Sequence, residues 1–294
     1  MRSFPRFTAS AQFAAHDAAR LRTALDRLPR AGEELILALD LDGTTIRHDT
    51  SLSDRVAEAI TAHAEAGSHI ILATGRGIAA TMIVAEQLGM GEGLCVCSNG
   101  AITLSYRDYD PAHISLERVH TFDPSRQIDR ISRRLPQAVL AVEPAEGPRR
   151  VSAHFPHGEL IGDTVVVPHE ELGGSDATRL TVRVPDMSPT ELTEEIEALG
   201  LDGVEYAVGW TAWLDISPAG VSKASAMAEV AGGFGLGAQN CLAVGDGAND
   251  VEMLSWAGAG IAMGDASDKV KAAADAATAS VNDDGLALAL EYLL

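Results

Sequence analysis

From Leu35 onward, apolar runs at 35–40, 69–73, 94–97, 241–244 and 259–262 interrupt a more polar chain. Each is short and apolar nearly throughout, the pattern of strands buried on both faces. Between the first three lie the helix-like stretches "SDRVAEAITAHAEAG" (53–67) and "GIAATMIVAEQLGM" (77–90). Ser53 is a candidate N-cap for the first and Gly67 a stop. Apolar runs joined by helices predict a parallel sheet covered on both faces. Right-handed crossovers then build a doubly wound, Rossmann-like α/β core.

The middle of the chain follows another period. Between about 101 and 213, segments such as "GDTVVVP" (162–168) and "RLTVRVP" (179–185) alternate polar and apolar. That period of two predicts a half-exposed antiparallel sheet, with helices over 124–135 and 188–199. The strand–helix pattern resumes at "AWLDISPAG". The simplest organisation is an extension over 1–34, a core made from 35–101 and 214–294, and an inserted α+β domain over 102–213. Two consecutive domains, or one large mixed sheet, are the alternatives. "AQFAAHDAARLRTALDRL" (11–28) spaces Phe13, Leu21 and Leu25 by eight and four, which predicts a surface helix or a frayed extension.

Composition narrows the function classes. At 294 residues the chain is long enough for two domains, and with 4% aromatics its core is built mainly from Ala, Val, Leu and Ile. The net charge of −20 argues against nucleic acid and anionic membrane surfaces as partners. No apolar run approaches the length of a membrane span, and the first thirty residues lack the continuous apolar segment of a secretory signal. The three cysteines, Cys95, Cys97 and Cys241, lie in or beside apolar runs and read as small core residues. A cytoplasmic setting is expected.

Candidate chemistry lies where the apolar runs end. In an open parallel sheet, ligands bind beyond the carboxyl ends of the strands. Those ends carry Asp40-Leu41-Asp42-Gly43-Thr44, Thr74-Gly75-Arg76, Ser98-Asn99-Gly100 and Asp246-Gly247-Ala248-Asn249-Asp250, and Lys223 follows the "WLDI" run. Two carboxylates brought together at the end of a buried strand are costly unless a cation or a proton compensates. Asp40, Asp42, Asp246 and Asp250 supply hard oxygens that suit Mg²⁺, which commonly keeps waters and takes a substrate phosphate as well. Thr74, Lys223 and free backbone N–H groups can hold that phosphate. Glycines 43, 75, 100 and 247 let the backbone come close. One aspartate is suited to attack phosphorus, and a second, two residues on, to exchange the proton.

These motifs, "DLDGTT" (40–45), "ATGR" (73–76), "GVSK" ending at Lys223 and "GDGANDVEML" from Gly245, resemble in their order the haloacid dehalogenase superfamily of phosphohydrolases. "SNGA" (98–101) and "WLDISPAGVSK" (213–223) resemble its Cof-like branch, subclass IIB. The resemblance implies that Asp40 is the nucleophile and a Mg²⁺ ligand, and that Asp42 is the general acid/base with its main-chain carbonyl on the metal. It further implies phosphate binding by Thr74, Gly75, Lys223 and Asn249, metal binding by Asp246 and Asp250, and a cap domain that closes over the substrate. Arg76 and Asn99 stand beside these positions as substrate or supporting contacts. Two departures stand out: about 34 residues precede the first strand, and Ala224 follows Lys223 where the family pattern has glycine.

The expected activity is a Mg²⁺-dependent phosphatase acting on a small phosphomonoester such as a sugar phosphate. A phosphosugar mutase with the same aspartyl chemistry, or a non-catalytic phosphometabolite-binding protein, is the alternative. In the inserted segment, "RRVSAHFPHGE" (149–159) reads as an exposed loop. Arg179 and Arg183 on the "TRLTVRV" strand read the same way, with substrate contact as the alternative for both sets; His154 and His157 read as a poor zinc pair, and Trp210 and Trp213 as core or hinge packing rather than stacking platforms.

Overall fold

The computed structural model describes residues 15–156, 159–174, 176–201, 204–208 and 213–294. Phe13, His157 and Trp210, named above, lie outside the described residues. Strands β1 (Ile36–Leu39), β2 (His69–Ala73), β3 (Glu92–Cys97), β4 (Ile102–Arg107) and β5 (Ile114–Val119) open the chain's strand series. Strands β6 (Val139–Pro144), β7 (Arg149–Val151), β8 (Thr164–Val166), β9 (Ala177–Arg183), β10 (Val204–Val208) and β11 (Trp213–Pro218) follow, then β12 (Cys241–Gly245), β13 (Ala259–Ala262) and β14 (Ala276–Ala277). They form two sheets, ordered β14-β13-β12-β1-β2-β3-β4-β5 and β10-β11-β9-β6-β7-β8.

The large sheet is parallel from β14 to β3, with β1 at its centre between β12 and β2. Leu37 and Leu39 of β1 face one apolar cluster, with helices Ala15–Leu25, Asp54–Glu65, Ile78–Gln87 and Gly285–Leu293. Ile36 and Ala38 face another, with Lys223–Gly233, Val251–Trp256 and Asp268–Ala273. Burial on both faces explains why these strands read as unbroken apolar runs. Ser53 stands at the N-cap position of the first crossover helix with extended backbone, but its side chain makes no capping hydrogen bond; Gly67, at φ +91°, lies just past the end of that helix.

Several observations differ from the pattern's expectation; one is that β7 and β8 pair parallel in a sheet expected to be antiparallel. β4 and β5 lie in the span expected to be inserted, yet they pair antiparallel with the edge of the large sheet. The change of sheet therefore falls after Val119 and after Pro218 rather than at 101 and 213. A strand's alternation reports its own exposure and not which sheet it joins. The helix Ala15–Leu25 is also no frayed extension: Leu21 and Leu25 are fully buried and join the core beside Leu290 and Leu293.

The small sheet packs one face on helices Ser125–Arg134 and Pro189–Leu199, burying Leu140, Val142, Leu180, Val182, Leu214 and Ile216. Its other face carries Glu143, Arg179, Thr181 and Asp215. Arg179 and Thr181 on it are buried as well, so the period of two does not mark a solvent-exposed face here. These side chains are covered because the polar face lies over the carboxyl end of the large sheet, bonding to residues there. No helix among the described residues is long and apolar enough to cross a membrane.

Candidate active site

The carboxyl ends of β1, β2 and β12 and the helix start at Lys223 bring the four expected motifs into one place, beside the loop after β3. Asp40 follows β1 and is held by its own N–H donating to Val244 of β12 at 3.0 Å, while its carbonyl accepts from Thr45 Oγ1 at 2.5 Å. Lys223 begins the helix Lys223–Gly233, whose N-cap Ser222 forms a capping box with Ser225. A Cβ at Gly100 would come within 2.3 Å of the Ser222 carbonyl, so only glycine lets the loop after β3 pack against this helix start. Lys223 is fully buried, and its Nζ donates to Asp40 Oδ1 and Asp250 Oδ1, both at 2.6 Å. The compensating cation at the end of the first strand is thus, in part, this ammonium.

One ammonium does not balance the cluster. Asp40, Asp246 and Asp250 each present a carboxylate oxygen within 4.8 Å of the others. Asp250 Oδ2 accepts the N–H groups of Asp246 and Gly247 at 3.0 and 2.9 Å, which closes the loop after β12. Asp246 Oδ1 accepts weakly from Thr44 Oγ1 at 3.4 Å, and Asp246 Oδ2 is buried with no hydrogen-bond partner. Burial, and next the Asp250 carboxylate, push Asp40 well above the usual carboxylate range against the pull of Lys223. The same two causes raise Asp246 to about 6. In Lys223, burial lowers the pKa, but Asp250 and Asp40 outweigh it and hold the ammonium charged. Crowded, dehydrated carboxylates with an orphaned oxygen are the donor set of a small hard cation, and these residues fit Mg²⁺. Gly43 belongs to the same geometry: at φ +78°, a Cβ there would lie 2.5 Å from Asp246 Oδ2.

Asp42 is not a side-chain member of that cluster. β1 ends at Leu39, so Asp40 and Asp42 lie in the turn beyond the strand, where Asp42 forms an isolated bridge with Ile46. The alternation that would put i and i+2 on one face no longer applies there. Instead both Asp42 oxygens accept from Arg76, Oδ1 at 2.5 Å and Oδ2 at 2.8 Å, a bidentate pair. Thr74 is buried, its Oγ1 accepting the Arg76 N–H at 3.0 Å and its carbonyl accepting the Asn99 N–H at 3.0 Å. Asn99 Oδ1 accepts from Asn249 Nδ2 at 2.9 Å and so links the loops after β3 and β12.

A cavity of about 590 Å³ opens above this floor. Asp40, Asp42, Thr74, Gly75, Arg76, Asn99, Asp246 and Asn249 line its core side, and Lys223 and Asp250 lie buried beneath. The small sheet supplies the roof, including Arg149, Glu159, Arg179, Trp213 and Asp215. Arg149 is buried rather than part of an exposed loop, whereas His154 is exposed. Trp213 packs edge-on against Phe155 at 5.7 Å and donates from Nε1 to Asp215 at 3.0 Å.

Glu143 and Asp215 escape sequence reasoning. The signal they carry is weaker than the carboxylate pair that marked Asp40: a single acid within or ending an apolar run, "LAVEP" and "WLDI". Nothing local says that these runs face another domain.

Residues 37–129 and 154–290 match the family of haloacid dehalogenase-like hydrolases. The chain belongs to that family and is an enzyme of its phosphatase class. It is similar to the 5-amino-6-(5-phospho-D-ribitylamino)uracil phosphatase YitU of Bacillus subtilis, with 26% identity over 265 residues, 86% of this chain and 94% of that protein. It is 30% identical over 256 residues to a phosphoglycolate phosphatase of Natronomonas pharaonis, covering 87% of this chain and 96% of the other. Among solved structures, the subclass IIB sugar phosphatase BT4131 matches with a TM-score of 0.69 at 23% identity, over 87% of this chain and 97% of that one. That likeness is one of fold, a Rossmann-like core with a second, smaller sheet.

Proposed function

We propose that this protein is a cytoplasmic, Mg²⁺-dependent phosphatase that works through an aspartyl-phosphate and releases an uncharged, hydroxylated alcohol, a sugar phosphate being the leading substrate class. The observation that carries the chemistry is the buried Asp40–Asp246–Asp250 cluster with Lys223 bonded across it, at the floor of a cavity that Thr74 lines.

In this reading Asp40 attacks phosphorus through a carboxylate oxygen. The P–O bond to the leaving alcohol breaks, and Asp42, having gained a proton from solvent once its pair with Arg76 has opened, gives it to that oxygen. Asp42 then takes a proton from water, which attacks the phosphoaspartate and returns Asp40 with inorganic phosphate. Asp42 can serve only when its bidentate pair with Arg76 opens, so Arg76 is freed for the substrate at the same moment. Asp40, Asp246 and Asp250, with the Asp42 carbonyl, would hold the metal, which supplies positive charge against the phosphoryl oxygens. Thr74, the Gly75 backbone and Asn249 bind the phosphoryl group. Lys223 favours the ionised form of Asp40 and aims its carboxylate. The segment from β6 to β11 acts as the cap.

The roof supports the substrate class. The charged side chains that its described residues present to the cavity are Arg149 and Arg179 against Glu159 and Asp215, two of each sign, held in ion pairs with Glu143, Arg183 and one another. Among the described residues the roof leaves no net charge for a second anionic group. Leu160, Ile161 and Trp213 add apolar surface. Such a roof suits a neutral polyol or sugar better than a phosphorylated carboxylic acid, and a volume of about 590 Å³ leaves room well beyond a phosphate.

The test is phosphate release from a panel of phosphomonoesters with Mg²⁺ and with EDTA. Release that requires Mg²⁺ and ranks sugar phosphates above phosphoglycolate is expected. Asp40→Asn should abolish turnover in a variant that still folds; near-normal activity in that folded variant would sink the aspartyl mechanism. An isomerised sugar phosphate in place of free phosphate would point to the mutase instead.

A further inference from the structure

A second polar cluster, distinct from the acidic floor, ties the small sheet to the loops of the core. Arg179 of β9 is 3% exposed, and its guanidinium works in two directions. Nε and one terminal nitrogen donate to Glu143 Oε2 at 3.0 and 2.6 Å. The other terminal nitrogen donates to the main-chain carbonyl of Gly75 and lies 3.4 Å from Asp215 Oδ2. Glu143 also accepts from Arg149 at 2.9 Å and from Ser98 Oγ at 3.4 Å. One ion pair from the small sheet therefore meets both the loop after β2 and the loop after β3.

Both loops depend on outside support. Ser98 and Asn99 hold positive φ, 51° and 56°, a conformation that persists in non-glycine residues when the surroundings impose it. Gly75 has the backbone freedom of glycine in the loop that carries Thr74. At Gly77 a Cβ would lie 2.3 Å from Glu143 Oε1 and 2.4 Å from an Arg149 terminal nitrogen, so the cluster sits directly on the chain there.

We propose that Arg179, oriented by Glu143, is a positioning residue for phosphoryl transfer: it grips the Gly75 carbonyl and so sets the shape of the 74–76 loop. The inference rests on the phosphatase reading of Thr74 and its neighbours. Turning the Gly75 peptide would disturb the Arg76 N–H to Thr74 Oγ1 bond, because the two share that short stretch of backbone. Arg179 reaches Gly75 only while the small sheet lies on the core, so the phosphate loop takes its working shape when the cap is closed.

The role separates from leaving-group recognition by its substrate dependence. A shaped phosphate loop serves every ester alike, whereas a leaving-group contact serves only esters with the matching alcohol. Arg179→Met, Arg179→Lys and Glu143→Gln are compared with wild type on p-nitrophenyl phosphate and a hexose phosphate in Mg²⁺, with inhibition by inorganic phosphate measured in parallel. In Arg179→Met, kcat/KM should fall for both esters by a similar factor, roughly tenfold to a hundredfold for a displaced binding group. Phosphate inhibition should weaken alongside, and Arg179→Lys should recover part of the loss. A loss confined to the hexose phosphate, or unchanged kcat/KM per folded molecule, overturns the proposal. Hydrogen exchange on wild type and Glu143→Gln is the second measurement and needs no turnover. Faster exchange concentrated in residues 74–78 and 98–101 supports the tie, and unchanged exchange there refutes it. If wild type releases no phosphate from any ester, the phosphatase reading fails by itself, and the exchange experiment still decides the tie.

Discussion

Lys223 shows how one side chain holds the site's charge in place. Its fully buried ammonium is shared by Asp40 and Asp250 at equal distance. Removing one partner from a buried pair typically costs about 3–5 kcal/mol, because the remaining charges are left without compensation. Lys223→Met should therefore lower metal-free stability by about that amount. A bound divalent cation supplies the missing charge, so Mg²⁺ should raise the melting temperature of Lys223→Met more than that of wild type. Equal Mg²⁺ shifts in thermal melts of the two proteins would count against a metal at this cluster. Asp42, only two residues from Asp40, has a different partner because the turn at Gly43 takes it off the strand axis and within reach of Arg76.

At the level of elements, the helix Ala15–Leu25 and the Glu143 cluster make separate contributions. Leu21 is fully buried against the core, so Leu21→Ala should cost about 2–5 kcal/mol in chemical denaturation. A loss below 1 kcal/mol would mean that the helix is only loosely attached. In the small sheet, burial raises the Glu143 pKa, but Arg179 and Arg149 more than offset this and hold it below the ordinary value of 4.5. A carboxyl lowered in the folded state contributes stability that is complete above the unfolded pKa and fades as pH falls through the folded one. The stability gap between wild type and Glu143→Gln should thus be constant from neutral pH down to about 4.5 and shrink below it. A gap that stays constant down to acid unfolding would show that the carboxylate charge is not what binds the cluster.

The whole molecule adds a long-range effect. Its net charge of −20 repels a phosphorylated substrate, while the groups proposed to hold the phosphate act at contact distance. Salt screens the long-range part first, with a Debye length of about 10 Å at 0.1 M. kcat/KM at constant Mg²⁺ should accordingly rise between low and moderate ionic strength, with kcat little changed. A steady fall with salt would indicate a local positive funnel that the balanced roof does not show.

The sequence alone determined the five central strands, the two crossover helices between the first three of them, and the residues that meet at the floor of the candidate site. Strands buried on both faces have to be apolar, and carboxylates at their ends stand out against that background. Asp40, Thr74, Asn99, Lys223, Asp246, Asn249 and Asp250 were legible for that reason. The tertiary structure decided what alternation and spacing do not encode. It set which sheet Ile102–Arg107 and Ile114–Val119 join, turned the polar face of Ala177–Arg183 inward, and brought Glu143 and Arg179 onto Gly75. Local pattern records whether a side chain is surrounded. The identity of what surrounds it depends on tertiary contacts, such as that of Arg179 with Gly75, 104 positions apart, which exists only once both sheets have formed.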